Sequence, residues 1–585
     1  MNARLPSDLP LPTPKHPVPD RAGVNAYLDD PEFATLLPLY LGPELAAHLQ
    51  PHLLRLGELA GGPLDDLART ADQNPPTLQH RTRTGIDQQT IHKHPAYVAM
   101  ERLAFGEFGL AAMSHRPGVL GWPSALPAAV KYALSYLFVQ AEFGLCCPLS
   151  MTDSLTRTLR KFGAPALVQR YLGDLTSQDL DTLAQGAMFM TEQGAGSDVA
   201  ATTTEARPDP QDPGAWRLHG DKWFCSNPDA ALAMVLARTE GGPAGMKGVS
   251  LFLLPRQLPE GSPNAYRIIR LKDKLGTRSM ASGEIRLEGA KAWLVGELGR
   301  GFVQMADMVN HSRLSNGMRA AGLMRRAAAE ALHIARHRQA FGKALIDMPL
   351  MQRQLAKILV PAEQARTMVF QTAEALRRAD AGEPGAYALT RLLTPLIKFR
   401  ACRDARKATG DAMEVRGGCG YIEEWSDPRT VRDAHLGSIW EGTSNIVALD
   451  GVRAIQREGA LPVWRAHLLQ HIDGTPWHPA VRQRLHTLVD AVQALGQRTA
   501  DEHHDAMARQ AASALYHLTS AVAMGWEAGR TGSLRRMLLA QLVLAHRLLP
   551  RDPLAAPPHA DLAPLWATAH QSASAETLQA LNLLG

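Results

Sequence analysis

Apolar and polar positions repeat with two different periods along this chain, and the change of period divides it. In PELAAHLQPHLLRLGELA (43–60) apolar side chains recur every three to four residues, the spacing of one buried helix face. LPAAVKYALSYLFVQAEFGL (126–145) is apolar nearly all round and predicts a single buried helix. Residues 21–185 therefore read mostly as helix, broken by the paired prolines of ADQNPPTLQHRTRTG (71–85). From about 186 to 295 the period falls to two. GAWRLHGDKWFCSN (214–227) alternates around Gly220-Asp221, which predicts strand–turn–strand. KGVSLFLLP (247–255), YRIIRL (266–271) and GEIRLEGAKAWLV (283–295) read as further short strands. The longer period returns at Gly301 and continues to Phe341, then over 349–379 and 389–415, as in a helical bundle. More helix follows between 456 and 585.

The resulting division is a Pro-rich tail over 1–20, a helical domain over 21–185, a β domain over 186–295, a four-helix-type domain over 296–455 and an extra helical region over 456–585. At 585 residues the chain is long enough for several cores. The first twenty residues lack the apolar stretch of a secretory signal, and their prolines suit an extended or disordered tail. No apolar run is long enough to span a bilayer, so no membrane partner is expected. Five cysteines form no disulfide framework, and adjacent Cys146 and Cys147 before Pro148 suit reduced thiols in a cytoplasmic setting. No Cys/His cluster has metal-ligand spacing, so no metal is expected. A net charge of +5 permits an anionic partner without requiring one.

Five stretches carry chemistry. MTEQGAGSDVAATTTEA (190–206) places Gly194 and Gly196 among the hydroxyls of Thr191 and Ser197, which suits a heterocycle, a phosphate or an ordinary loop. In GDKWFCSN (220–227) Phe224 and Ser226 share one strand face, an aromatic plane beside a hydroxyl. RHRQAFGK (336–343) reads as a helix ending near Gly342, where Arg336 and Arg338 suit the negative helix end; Arg338 also suits a phosphate. AMEVRGGCGY (412–421) ends a helix with Gly417 and Gly418, allowing close backbone approach. In SIWEGTSN (438–445) Glu441 precedes a helix start, where a carboxylate is favoured by the dipole whatever else it does.

In order and spacing these five stretches, from about residue 80 to 455, resemble the acyl-CoA dehydrogenase family. The stretches NPPTLQHRTRTGIDQQTIHKHPAY (74–97), LKDKLGTRSMASGEI (271–285) and SIWEGTSNIVALDGVRAI (438–455), with the helical tail, are similar to its alkylation-response (adaptive-response) branch. The resemblance implies an α+β fold with an N-terminal helical domain, a middle β domain, a C-terminal bundle and an added tail. It implies FAD as cofactor, with Met190, Thr191, Ser197, Phe224, Ser226, Trp440, Thr443 and Asn445 around it. Arg338, Gly417 and Gly418 would reach the FAD of a neighbouring subunit, implying a homotetramer. Glu441 would be the catalytic base, removing the α-proton of an acyl-CoA thioester as hydride passes to the flavin; a separate electron acceptor would then reoxidise it. Arg313 matches a CoA-nucleotide position, and Arg453 matches an arginine near the active site in this branch.

Two departures narrow the expected substrate. Trp440 replaces the usual Tyr before the base, and Arg453 lies a little over three helical turns beyond it. Both would crowd the acyl space, which favours a short or branched acyl-CoA. Glu414 stands where many relatives carry Gln. The branch also implies a second role, a double-stranded-DNA-binding stress protein with weak or vestigial dehydrogenase activity. Residues 456–585 contain 11 Arg, no Lys and 10 acidic residues, a net of about +1, so composition gives this little support beyond Arg535-Arg536 as a candidate patch.

Overall fold

The computed structural model describes residues 17–501, 504–552, 554 and 561–584, so most of the expected Pro-rich tail lies outside the described residues. The N-terminal region contains α1 (Pro31–Leu41), α2 (Pro43–Gly61) and α3 (Pro63–Gln73). Each begins on a proline, whose fixed φ and missing N–H suit the first helical turn. Residues 77–92, expected only as a break, form an antiparallel hairpin of β1 (Thr77–Arg81) and β2 (Asp87–His92). Then come α4 (Pro95–Glu101), α5 (Ala128–Phe138), α6 (Cys146–Phe162) and α7 (Pro165–Leu175). The single helix expected over 126–145 is shorter: α5 stops at Phe138, and residues 139–145 turn the chain into α6. Buried Glu142 helps hold that turn, accepting from the Leu145 N–H (3.0 Å) and the Ser279 hydroxyl (2.8 Å).

The middle domain consists of β3 (Gly186–Phe189), β4 (Glu205–Pro208), β5 (Ala215–Ser226), β6 (Leu232–Thr239), β7 (Val249–Pro255), β8 (Tyr266–Leu271) and β9 (Ser282–Leu294). Pairings β4–β5, β5–β9, β9–β7, β7–β6 and β6–β4 close a ring, with β3 beside β6 and β8 beside β9. Gly220-Asp221 does not turn the chain as expected. β5 runs straight through it as one strand, with register shifts on either side that bend the strand at Gly220 (φ +139°). Strand β6 is apolar throughout because both its faces are buried. Ala233, Val235 and Ala237 join one core, while Leu232, Met234 and Leu236 join the core shared with α6, α7 and α8.

The bundle comprises α8 (Gly301–His337), a short hairpin of β10 (Gln339–Ala340) and β11 (Lys343–Ala344), then α9 (Pro349–Asp380), α10 (Ala386–Arg416), α11 (Ser426–Gly437) and α12 (Ser444–Glu458). Helix α8 ends at His337, short of the expected Gly342; the hairpin turns through Phe341 and Gly342, both at positive φ. Arg336 and Arg338 do not serve the end of their own helix. Arg336 donates to the Trp566 carbonyl (2.9 Å) and Arg338 to the Arg416 carbonyl (3.1 Å).

Helices α13 (Ala460–Asp473), α14 (Pro479–Asp501), α15 (Ala508–Thr531), α16 (Leu534–Val543) and α17 (Ala575–Ala580) complete the chain and share one core with the bundle. A buried ionic network fixes this tail. Arg536 bonds Glu527 (Nε, 2.7 Å) and Glu363 (2.8 Å), Arg366 bonds Asp30 (2.6 Å), and Tyr40 donates to Glu527 (2.6 Å). Arg535 and Arg536 are therefore core residues and form no surface patch.

Candidate active site

The base-bearing turn is built from α8 and α10 as much as from its own sequence. Glu441 lies between α11 and α12 with φ +55°, a left-handed conformation uncommon for a side chain longer than Asn or Asp. Four side chains hold it. Ser312 and Asn316, one turn apart on α8, each donate to one oxygen of the Glu441 carboxylate. Arg313 donates to the Glu441 carbonyl (Nε, 3.0 Å) and pairs with Asp450 on α12 (2.7 Å), which Arg391 also meets at 3.3 Å. Buried Lys398 of α10 donates to the Gly442 carbonyl. Burial pushes the Lys398 ammonium down to about 8, although Cys402 and Glu441 nearby act the other way.

Trp440 does more than add bulk. Its indole Nε1 donates to Asn316 Oδ1 (2.5 Å), and an indole can only donate, so the Asn316 oxygen is committed to it. The Asn316 amide therefore presents its NH2 to Glu441. The Trp440 ring stacks on Phe143 (centroids 5.9 Å apart, planes at 15°), and the Arg319 guanidinium lies over it at 4.6 Å.

Opposite stands the middle domain. Glu192 accepts from the Thr203 N–H (2.7 Å), the Thr204 hydroxyl (2.6 Å) and the Lys222 ammonium (2.7 Å), and Trp223 N–H reaches the Thr191 carbonyl (2.9 Å). These bonds fasten the 190–206 loop to β5. Burial acts to raise the Glu192 carboxyl, but Lys222 and the donated hydrogen bonds overcome it and bring the group down to about 2.

A cavity of about 1840 Å³ separates the two sides. Met190, Thr191, Ser197, Phe224, Ser226, Arg313, Trp440, Glu441, Thr443 and Arg453 all line it. Arg338, Gly417, Gly418 and Asn445 are not among its lining residues. Arg338 and Gly417 instead meet at the end of α10, beside the exposed rings of Phe341 and Tyr421. Arg453 is exposed at the cavity edge next to Asp450. Of the two arginines, Arg313 is the one bonded to the base turn.

The residues fit a flat, polyfunctional cofactor. The Phe224 ring is 57% exposed on the cavity face of β5 beside Ser226, with the Lys272 ammonium 4.5 Å from its centroid, an unusual exposure for an aromatic side chain. Added Cβ atoms at Gly194 and Gly196 would meet nothing within 4 Å, so that loop leaves open space. Sequence reasoning missed Ser312, Asn316, Lys398, Glu192 and Lys222. The signal for the first two was present: in NHSRLSNG (310–317) Ser312 and Asn316 lie four residues apart, on one face of the expected helix. Lys398 carries no such mark.

Three family profiles match this chain in succession: the adaptive response protein AidB N-terminal domain at residues 17–182, the acyl-CoA dehydrogenase middle domain at 187–290, and the acyl-CoA dehydrogenase C-terminal domain at 299–456. The chain belongs to the acyl-CoA dehydrogenase family, FAD-dependent oxidoreductases acting on CH–CH groups. Within the family it falls in the alkylation-response branch. It is 36% identical over 409 residues to the putative acyl-CoA dehydrogenase AidB of Escherichia coli, covering 68% of this chain and 72% of that one. ACDH-11 of Caenorhabditis elegans, solved in complex with C11-CoA, superposes with a TM-score of 0.83 at 27% identity, over 92% of this chain and 93% of that one. An acyl-CoA dehydrogenase of Bacillus anthracis complexed with FAD shares the fold, with a TM-score of 0.67 at 18% identity, over 84% and 86%.

Proposed function

We propose that this protein oxidises a short or branched acyl-CoA, with Glu441 as the base that removes the α-proton. The observation that carries this reading is the placement of Glu441. Its turn is held in a left-handed backbone conformation by Arg313 and Lys398, and it shares a cavity with Phe224 and Ser226. A backbone held in so uncommon a conformation by buried Lys398 and largely buried Arg313 points to a positioned side chain. FAD, when bound, supplies the hydride acceptor. The protein's own part is to hold the thioester between Phe224 and Glu441, take the α-proton on the carboxylate, and donate the Glu441 backbone N–H to the thioester oxygen as charge develops there. One hydrogen leaves as a proton and one as hydride, and a Cα=Cβ double bond remains.

Two donors fix the direction of the carboxylate. Substrate binding is expected to exchange at least one of them for the α-C–H. The test is anaerobic titration of the FAD-loaded protein with acyl-CoAs of graded length and branching. Bleaching of the flavin by short or branched members supports the reading, and a panel with no bleaching at all removes it.

Homotetramer formation has support in the exposed apolar groups around Arg338 and Gly417: Phe341 is 98% and Tyr421 81% exposed. Light scattering in solution tests it. Double-stranded DNA as a partner loses its clearest sequence support, because Arg535 and Arg536 are buried.

A further inference from the structure

The wall of the active-site cavity changes character along α6. Near the base it carries Cys147, close to both Ser226 and Glu441, and then Met151. Leu126 and Ala128 continue this apolar stretch. Asp153, about 9 Å along α6 from Cys147, opens a different environment. Here Lys131 meets Asp153 (2.5 Å), His115 Nε2 meets the other Asp153 oxygen (3.0 Å), and all three line the same cavity. His311 joins them, one residue before the Ser312 that holds Glu441. Lys131, Asp153 and His311 are each less than a tenth exposed.

Such a cluster is costly to build against an alkyl chain. An ion pair and two imidazoles facing a methyl terminus would lose water and gain nothing. The cluster also has unused donor capacity. Lys131 has three N–H groups, of which Asp153 takes one. The Ser114 hydroxyl, also in the cavity wall, is buried without a partner. The sign of the charge narrows the ligand further. Lys131 is neutralised by Asp153, and Arg157 beyond it is held by Asp380 (2.5 Å) and Asp307 (3.6 Å). Burial, Arg157 and Lys131 all push the His311 imidazole well below its ordinary value, so it is uncharged at neutral pH. Arg160 lies at the exposed rim, donating to the His115 carbonyl (3.4 Å). Within the cluster the two cations, Lys131 and Arg157, are matched by carboxylates, whereas donors are left over for a neutral oxygen.

We infer that Ser114, Lys131 and His311, on the Asp153 scaffold, form a distal acyl subsite for a chain that ends in a neutral hydrogen-bond acceptor, such as a hydroxyl or amide oxygen. The apolar stretch of Leu126, Ala128 and Met151 takes the methylenes before it. This rests on the acyl-CoA reading above, and the experiment separates the two.

FAD-loaded Glu441→Gln protein, which binds without turnover, is titrated by calorimetry with pairs of acyl-CoAs of matched length. One member of each pair ends in a hydroxyl and the other in a methyl. The hydroxyl member is expected to bind about tenfold more tightly at the best chain length. Lys131→Met, added to that protein, should abolish the preference. Because that change leaves Asp153 short of a partner, Ser114→Ala is the gentler second variant and should cut the preference several-fold. Equal affinities, tighter binding of the methyl member, or a preference unmoved in both variants overturns the subsite alone. Failure of every thioester to bind overturns the acyl-CoA reading with it.

Discussion

Replacing Asn316 with Leu tests the wiring of the base turn. Leu keeps the volume but deletes the amide that joins Trp440 Nε1 to the Glu441 carboxylate. Hydrogen bonds to charged groups are worth about 1.5–3 kcal/mol, and about 1.4 kcal/mol is tenfold in rate. Glu441 is half-buried, so the lower end applies. Without the amide the carboxylate loses one of the two donors that aim it into the cavity, and kcat for flavin reduction should fall about tenfold with KM little changed. The assay is stopped-flow flavin reduction on protein shown to retain FAD. Trp440→Phe should reproduce a smaller loss, since the freed Asn316 amide can still donate part of the time. An unchanged rate in a folded, FAD-bearing Asn316→Leu protein refutes the reasoning.

Three further outcomes are expected. Arg313→Leu should lower kcat about a hundredfold with FAD retained, because the base turn drifts; a rise in KM at unchanged kcat would instead mark Arg313 as purely a CoA contact. Lys398 has a folded-state value near 8 against 10.5 unfolded, so the unfolded chain binds the extra proton between those values and wild-type stability rises with pH there. Lys398→Met should lack that gain, and urea unfolding at a series of pH values reads the difference. Arg536→Met should cost about 3 kcal/mol in chemical denaturation, because buried Glu527 loses its guanidinium and keeps the Tyr40 and Thr367 hydroxyls, while Glu363 keeps Arg366 and Arg535.

What could be read in the sequence depended on range. The division into helix, β domain and helix was visible because period reports local burial, and the five motif stretches were visible because each is contiguous. Where the strand or helix was interrupted, local reading failed. Gly220-Asp221 resembles a turn, but the pairing of β5 with β9 carries the strand through it. Residues 126–145 are apolar enough for one helix, yet Glu142 and Ser279, far apart in sequence, fix a break. Gly342 marks a turn that belongs to a hairpin after α8 has already ended. The largest misreading concerned arginine. Arg535-Arg536 looks like surface charge until Glu363 and Glu527 are brought to it from elsewhere in the chain. Arg313, matched to a CoA position, lines the cavity and also meets Asp450 and the Glu441 carbonyl, contacts that its own motif does not announce. The partners of Glu441 come from α8 and α10, so Lys398 had no signature next to the motif it supports.

The most direct test of the central claim compares wild type with Glu441→Gln, each carrying FAD, in anaerobic mixing with the best acyl-CoA from the panel. Glutamine keeps the shape of the side chain and removes its capacity to accept the α-proton. The account predicts rapid bleaching by wild type and none by Glu441→Gln, with the visible spectrum before mixing unchanged. Bleaching by Glu441→Gln at a rate near that of wild type would contradict it.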